Sequence, residues 1–380
     1  MDSRDLTMRM AGGVGGWLDD EEDGWRSEVG ESYYLDMLRD DARNKAYLDG
    51  IQRSIQAEAA RRGEQGVGVL DIGTGSGLLA MMAKRAGATR VTACECFAPV
   101  ARSAAMCFEA NGMGTQVQLV HKASTEMVEA EMQNRQRADI LVNELYDTEL
   151  LGEGILPTLR HAIDNLMAEK YVVIPGEAQI LTVLVESPSL CAAHHPQHAK
   201  TQRGTKLFPE HEVNAKDGWQ KTYQAESIFL DKLVERGAAT IVSDAVHASS
   251  LSFQNPPAHG IHCRDAVTVT ASRATTVHAV AYWWDLLMCD GDANPLATQL
   301  AGKGDRPSPG VLSMAPGQGF RDHWRQNLCF LPSPIRLQAG QRVQLRLCHD
   351  DWQFWFLARA LPQDTPAGAA AAQGAGAGAG

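Results

Sequence analysis

Val69-Leu70-Asp71-Ile72-Gly73-Thr74-Gly75-Ser76-Gly77 runs from a short apolar stretch into alternating glycines, and Leu78 to Arg85 then reads as a helix. A strand feeding a glycine-rich turn and a helix lets a ligand approach backbone amides and the positive helix end. The dinucleotide fingerprint G-x-G-x-x-G needs a small residue three places after Gly75, where this chain has Leu78. Leucine there hinders close packing of helix and pyrophosphate, so nicotinamide binding is disfavoured. A G-x-G-x-G loop behind an acid suits a nucleoside that carries no pyrophosphate.

Outward from the loop, the next strand, Val91 to Cys94, ends at Glu95, about twenty residues on, where a carboxylate can accept bonds from both ribose hydroxyls. Asp71, Gly73, Gly75 and Glu95 are the candidate nucleoside ligands, and S-adenosylmethionine is the nucleoside implied. Val117 to Val120 and Ile140 to Val142 read as further strands, while Leu48, Ile51 and Ile55, and Ile155, Leu159, Ile163 and Leu166, recur at helical spacing. Strands separated by helices predict a parallel sheet with crossovers. After Ile174-Pro175 strand signals dominate, in Ile180 to Val185, Val267 to Thr270, Val277 to Trp284 and Val343 to Leu347. They predict a second, mostly antiparallel domain with a polar insertion from Ser187 to about Trp219.

Composition bounds what this chain can be. With 380 residues, 44% of them apolar and 21% charged, it has material for two modules and a sizeable core. The net charge of −11 argues against a protein that neutralises many nucleic-acid phosphates, and permits cationic partners. No run approaches the roughly twenty apolar residues of a membrane span, and Met1 to Met10 is not signal-like. The expectation is a soluble protein of cytoplasm or nucleus, without direct membrane or nucleic-acid contact. The eight cysteines include no C-x-x-C pair, which predicts no zinc site and a reducing compartment. Residues 1–30 carry eight acids against three bases and read as a mobile arm, and 367–380 as a disordered Ala/Gly tail.

The second informative stretch is Asn143-Glu144-Leu145-Tyr146-Asp147-Thr148-Glu149-Leu150-Leu151-Gly152-Glu153-Gly154. It begins where the fourth strand ends, at the carboxyl edge where open parallel sheets hold ligands. A hairpin-like loop with glycines at 152 and 154 would bring Glu144 and Glu153 together. Two carboxylates repel and raise a pKa unless a cation separates them, and a guanidinium is a planar, forked cation that matches them. Glu149 is read as an acid capping the helix that follows.

The set Asp71-x-Gly73-x-Gly75-x-Gly77, Glu95, the loop from Glu144 to Glu153, and Asp322-His323-Trp324 resembles the protein arginine N-methyltransferase family. Tyr34-Leu35-Asp36-Met37-Leu38-Arg39-Asp40 with Arg43-Asn44 resembles its type III members, and the likeness runs from about Trp17 to Leu357. It implies a Rossmann-like methyltransferase domain (31–175), then a β-barrel substrate domain (176–366) carrying a dimerisation arm (about 187–222). It also implies methyl transfer from S-adenosylmethionine to protein arginine, leaving S-adenosylhomocysteine and monomethylarginine, with no metal. Glu144, Glu153, His323 and Asp40 are the catalytic set on this basis. Tyr34, Met37 and Trp324 would contact substrate, and Arg43, Cys96, Ser124 and Glu126 would join the cofactor ligands. Arginine-containing proteins, histones and arginine-rich RNA-binding proteins among them, are the implied substrates. Related animal enzymes carry a second methyltransferase-like module, in place of which a homodimer is expected. The competing readings are a small-molecule methyltransferase, which would lack the paired glutamates and the barrel, and a non-catalytic adenosyl-binding scaffold.

Overall fold

The computed structural model describes residues 34–194, 216–223, 225–289, 310–317 and 324–363. The expected acidic arm, the Ala/Gly tail, most of the expected dimerisation arm, and Asp322 and His323 lie outside these residues. Helix α1 (Tyr34–Arg39) leads into α2 (Asp41–Arg62), which Asp40 caps by accepting from the Arg43 amide at 2.9 Å. Ala46, Tyr47, Gly50, Ile51, Ser54 and Ile55 form the buried face of α2 at helical spacing.

Strands β1 (Gly68–Ile72), β2 (Arg90–Glu95), β3 (Gln118–His121), β4 (Ala138–Asn143) and β5 (Met167–Ile174) form the predicted parallel sheet, in the order β3-β2-β1-β4-β5. Every residue of β1, β2 and β4 is buried, as expected of strands covered on both faces. The covering helices include α3 (Leu78–Arg85), α4 (Ala98–Ala110) and α5 (Ile155–Asn165).

The antiparallel half starts at β6 (Glu177–Glu186), followed by α6 (Pro188–His194), β7 (Gln220–Lys221), β8 (Ala225–Ile228), α7 (Leu230–Glu235), β9 (Thr240–Ile241) and β10 (Val246–Ser252). Then come β11 (His262–Cys263), β12 (Val267–Thr270), β13 (Thr275–Leu287), β14 (Val311–Ser313), β15 (Gln326–Leu337), β16 (Arg342–His349) and β17 (Phe354–Ala360). One sheet runs β10-β6-β13-β15-β8 and the other β11-β16-β17-β7, and together they make the β-barrel half. The fold is therefore the predicted α/β sheet followed by a β-barrel.

Two further observations bear on the site. Arg160 of α5 donates to Pro257 O at 2.8 Å and to Asp351 Oδ2 at 2.6 Å, latching the parallel half to the barrel. Cys263 and Cys348 are disulfide-bonded, a pair the sequence reading did not anticipate. The β11–β16 register sets them opposite each other across a sequence separation of 85, a pairing that cysteine spacing does not reveal.

Candidate active site

The glycine loop holds its shape because Gly73, Gly75 and Gly77 sit at φ +71, +56 and +84, a region that side chains with a Cβ rarely adopt. Gly73 and Thr74 donate their amides to Cys94 O at 3.1 and 3.0 Å, tying the loop to the end of β2. Asp71, predicted as a nucleoside ligand, is placed otherwise. It is 1% exposed, and its Oδ2 accepts from Thr74 Oγ1 at 2.6 Å and from Ala80 N at 2.9 Å. Burial pushes its carboxyl up to about 6. Asp71 lies beneath the loop and fixes it to α3, because a carboxylate there satisfies amide and hydroxyl donors that would otherwise be orphaned.

Glu95 stands at the carboxyl end of β2, accepting from Gly75 N at 3.1 Å through Oε2 and from Phe97 N at 3.0 Å through Oε1. The same side chain thus orders the loop at the position predicted to meet the ribose. Cys96 is exposed, and burial of its thiol still pushes the pKa up to about 11, so it is a thiol at neutral pH. Ser124 is buried at the start of the turn Ser124–Glu126 that follows β3, and Glu126 is exposed. Both remain on the carboxyl edge of the sheet.

The second loop leaves β4 next to this cradle: a Cβ built on Gly73 would stand 2.7 Å from Leu145 Cδ2. Glu144 Oε2 lies 3.0 Å from Arg43 NH2, with the two side chains 11% and 3% exposed. Arg43 also donates to Asn44 Oδ1 at 2.9 Å and lies 5.2 Å above the Tyr47 ring. Burial pushes the Glu144 carboxyl up, and the neighbouring guanidinium opposes that rise. Arg43, expected among the cofactor ligands, is therefore engaged with Glu144, although its Nε is buried without a partner.

Glu153 is pushed up to about 8, first by burial and then by the charges of Glu144 and Asp147. The two glutamates are thus close enough to feel each other. The hairpin closes through Gly152 N, which donates to Asp147 Oδ1 at 3.1 Å. Glu149 does not cap α5, which corrects the sequence reading: the cap is Gly154 at φ +77, with no side-chain hydrogen bond. Glu149 is drawn instead toward the barrel, where burial, Asp147 and Glu226 push it up to about 7.

The barrel holds the loop by its backbone. Trp324 Nε1 donates to Tyr146 O at 2.7 Å, Trp284 Nε1 to Thr148 O at 3.0 Å, and Asn327 Nδ2 to Thr148 O at 2.6 Å. From the other side Tyr47 Oη donates to Asn143 O at 3.0 Å. Trp324, predicted to wall a substrate channel, is 4% exposed and packs edge-on against Trp284 at 5.1 Å. It positions the loop from within the core. Of the remaining predicted residues, Asp40 is the cap of α2, Met37 is half-buried in α1, and Tyr34 opens α1 with its side chain outside the described set. His323, grouped with Asp40 in the expected catalytic set, lies outside the described residues.

Tyr47, Trp284 and Asn327 are absent from the sequence-based candidates. Their only sequence signal is apolar or strand-like surroundings, since the contacts arise from the Tyr282↔Asn327 register and from the packing of α2 under β4.

A glycine cradle and a carboxylate hairpin at one edge of a parallel sheet, the hairpin tied down by an antiparallel barrel, define a two-part methyltransferase fold. Residues 52–161 match the ribosomal protein L11 methyltransferase family, and 217–356 match the arginine methyltransferase oligomerization subdomain. Over about nine-tenths of its length the chain is similar to protein arginine N-methyltransferases. Similar relatives are named protein arginine N-methyltransferase 7. The Gallus gallus protein is 34% identical over 92% of this chain and 49% of its own length, and the Drosophila persimilis protein 33% over 90% and 50%. The chain spans about half the length of these curated relatives. Among solved structures, the Trypanosoma brucei PRMT1 enzyme–prozyme heterotetrameric complex with AdoHcy aligns with a TM-score of 0.60 at 19% identity, covering 87% of this chain and 99% of that one. Arabidopsis thaliana protein arginine methyltransferase 10 aligns at 0.57 and 19%, covering 83% and 86%. At that identity these two support the fold.

Proposed function

We propose that the chain transfers a methyl group from S-adenosylmethionine to a guanidino nitrogen of protein arginine and stops at monomethylarginine. The observation that carries this reading is the coupled pair Glu144 and Glu153 beside the glycine cradle, with one of the two acids unneutralised. The residues present suit the nucleoside: Glu95 offers a carboxylate beside Gly75, and the buried, unpartnered Arg43 Nε offers a donor for a carboxylate. Bound there, S-adenosylmethionine supplies an electrophilic methyl on a sulfonium.

The chain's own residues do the rest. Arginine is a poor nucleophile, because its charge is delocalised and its pKa exceeds about 12. Glu144 and Glu153 grip the guanidinium fork and bias electron density onto the nitrogen facing the methyl group. Orientation of this kind supplies about 7–11 kcal/mol of barrier lowering in favourable cases. The hydrogen bonds from Trp284, Asn327, Trp324 and Tyr47 hold the hairpin so that both carboxylates keep their geometry, and the resemblance assigns Met37 and Tyr34 the role of covering the site. His323 and Asp40 receive the proton that leaves. A homodimer formed through the barrel half is the assembly we infer, with histones or arginine-rich RNA-binding proteins as substrates.

The test is incubation with labelled S-adenosylmethionine and either arginine-rich or lysine-substituted peptides, followed by product identification. Monomethylarginine from the arginine peptide alone is expected. Abundant dimethylarginine would reject the monomethyl assignment, and label on the lysine peptide would reject the substrate.

A further inference from the structure

At the amino edge of the parallel sheet, the pole opposite the glycine loop, an open cavity of about 500 Å3 is lined by Arg62, Arg90, Arg135, Arg137 and Glu129. Arg62 ends α2, Arg90 begins β2, and Arg135 and Arg137 directly precede β4. Part of this charge serves the core. Fully buried Asp139 pairs with Arg62 at 2.6 Å and with Arg90 at 3.4 Å, and accepts from Gly68 N at 2.8 Å.

The remainder is less committed. Arg137 Nη1 donates to Asp164 O and Met167 O, each at 3.2 Å, while its Nε meets Glu129 at 3.0 Å with the two side chains 41% and 50% exposed, so water and salt screen that ion pair. Arg135 is exposed, makes no side-chain bond among the described residues, and is held at φ +54 beside Asn134 at φ +60. Arg90 is nine-tenths buried, yet its Nε has no partner. Four guanidinium groups against the carboxylates of Glu129 and Asp139 leave two net positive charges, in a chain whose overall charge is −11.

We propose that this cavity binds the phosphate of a small phosphorylated compound. Guanidinium forks match phosphate oxygens bidentately, and an incoming dianion displaces the weakly held Glu129 from Arg137. The volume lies within the roughly 300–1,000 Å3 of small-ligand sites, which suits a compact ligand.

Isothermal titration of the full chain with inorganic pyrophosphate tests this, since a probe without a nucleoside has no claim on the glycine cradle. Saturable one-to-one binding is expected, weakened at least tenfold in a variant carrying Arg135→Glu and Arg137→Gln. Both positions are exposed, and an unchanged thermal melt would verify that the fold is kept. Glu153→Gln at the other edge should bind pyrophosphate as the parent does. A phosphoserine peptide forms a second arm and should bind more weakly than pyrophosphate. Absence of saturable binding to the parent chain, or unchanged binding in the double variant, overturns the site. Tighter binding of the peptide overturns the small-compound assignment.

Discussion

Glu144 leaves β4 with a guanidinium 3.0 Å from its carboxylate, whereas Glu153, at the far end of the same loop, has burial, Glu144 and Asp147 acting on it and finds no ion-pair partner among the described residues. One acid is built into the protein's own ion pair, and the other is kept short of a cation. The difference leaves one acid that holds a proton at neutral pH, which in the proposed reaction an incoming guanidinium would displace. It also makes the two glutamates unequal under substitution although they share one role.

The largest expected effect is on turnover. Either Glu144→Gln or Glu153→Gln should lower kcat by about 10²–10³-fold, the usual cost of losing one preorganised electrostatic partner, with cofactor affinity changed far less. Parental rates on an arginine peptide would remove the loop from the mechanism. Stability separates the two variants next. Glu144→Gln leaves Arg43 charged and buried without its acid and should cost about 3–5 kcal/mol in denaturant unfolding. Glu153→Gln removes an unneutralised acid, and its midpoint at pH 8 should equal or exceed the parent's. Equal losses in the two variants would break the asymmetry.

Titration sharpens the same contrast. Glu153 keeps its proton to about 8 in the folded chain against an ordinary value of 4.5, so between these limits the folded state binds more protons than the unfolded one. Its contribution to stability is therefore full below pH 4.5, declines as pH rises, and is lost above about 8. Thermal melts across this window should show that slope, reduced in Glu153→Gln. At pH 7, arginine-peptide binding should release up to one proton, measurable by titration calorimetry in buffers of different ionisation enthalpy. The smallest effect is expected for Asn327→Ala. Thr148 O retains its bond from Trp284, so unfolding should shift by about 1 kcal/mol, and kcat should fall less than tenfold.

What the sequence made legible follows from how local each signal is. The run from Val69 to Arg85 carries strand, turn and helix in seventeen residues, and the structure places all three there. Glu144 and Glu153 could be considered together from the sequence because one short loop holds both. Asp71 was misplaced because an acid before a glycine loop looks the same whether it faces a ligand or the buried amide of Ala80. Trp324 and Asn327 act on the loop from more than 170 residues away in the chain, and Cys263 meets Cys348 across 85. Register and packing decide those contacts, and neither is written in short-range spacing.

The contact between Gly73 and Leu145 has a last consequence. The glycine cradle and the carboxylate hairpin share a partition so thin that a single added methyl at 73 would stand 2.7 Å from the leucine. A side chain at 73 therefore requires the Leu145 tip to move aside as well as a strained backbone at φ +71, so the two loops constrain each other at this point.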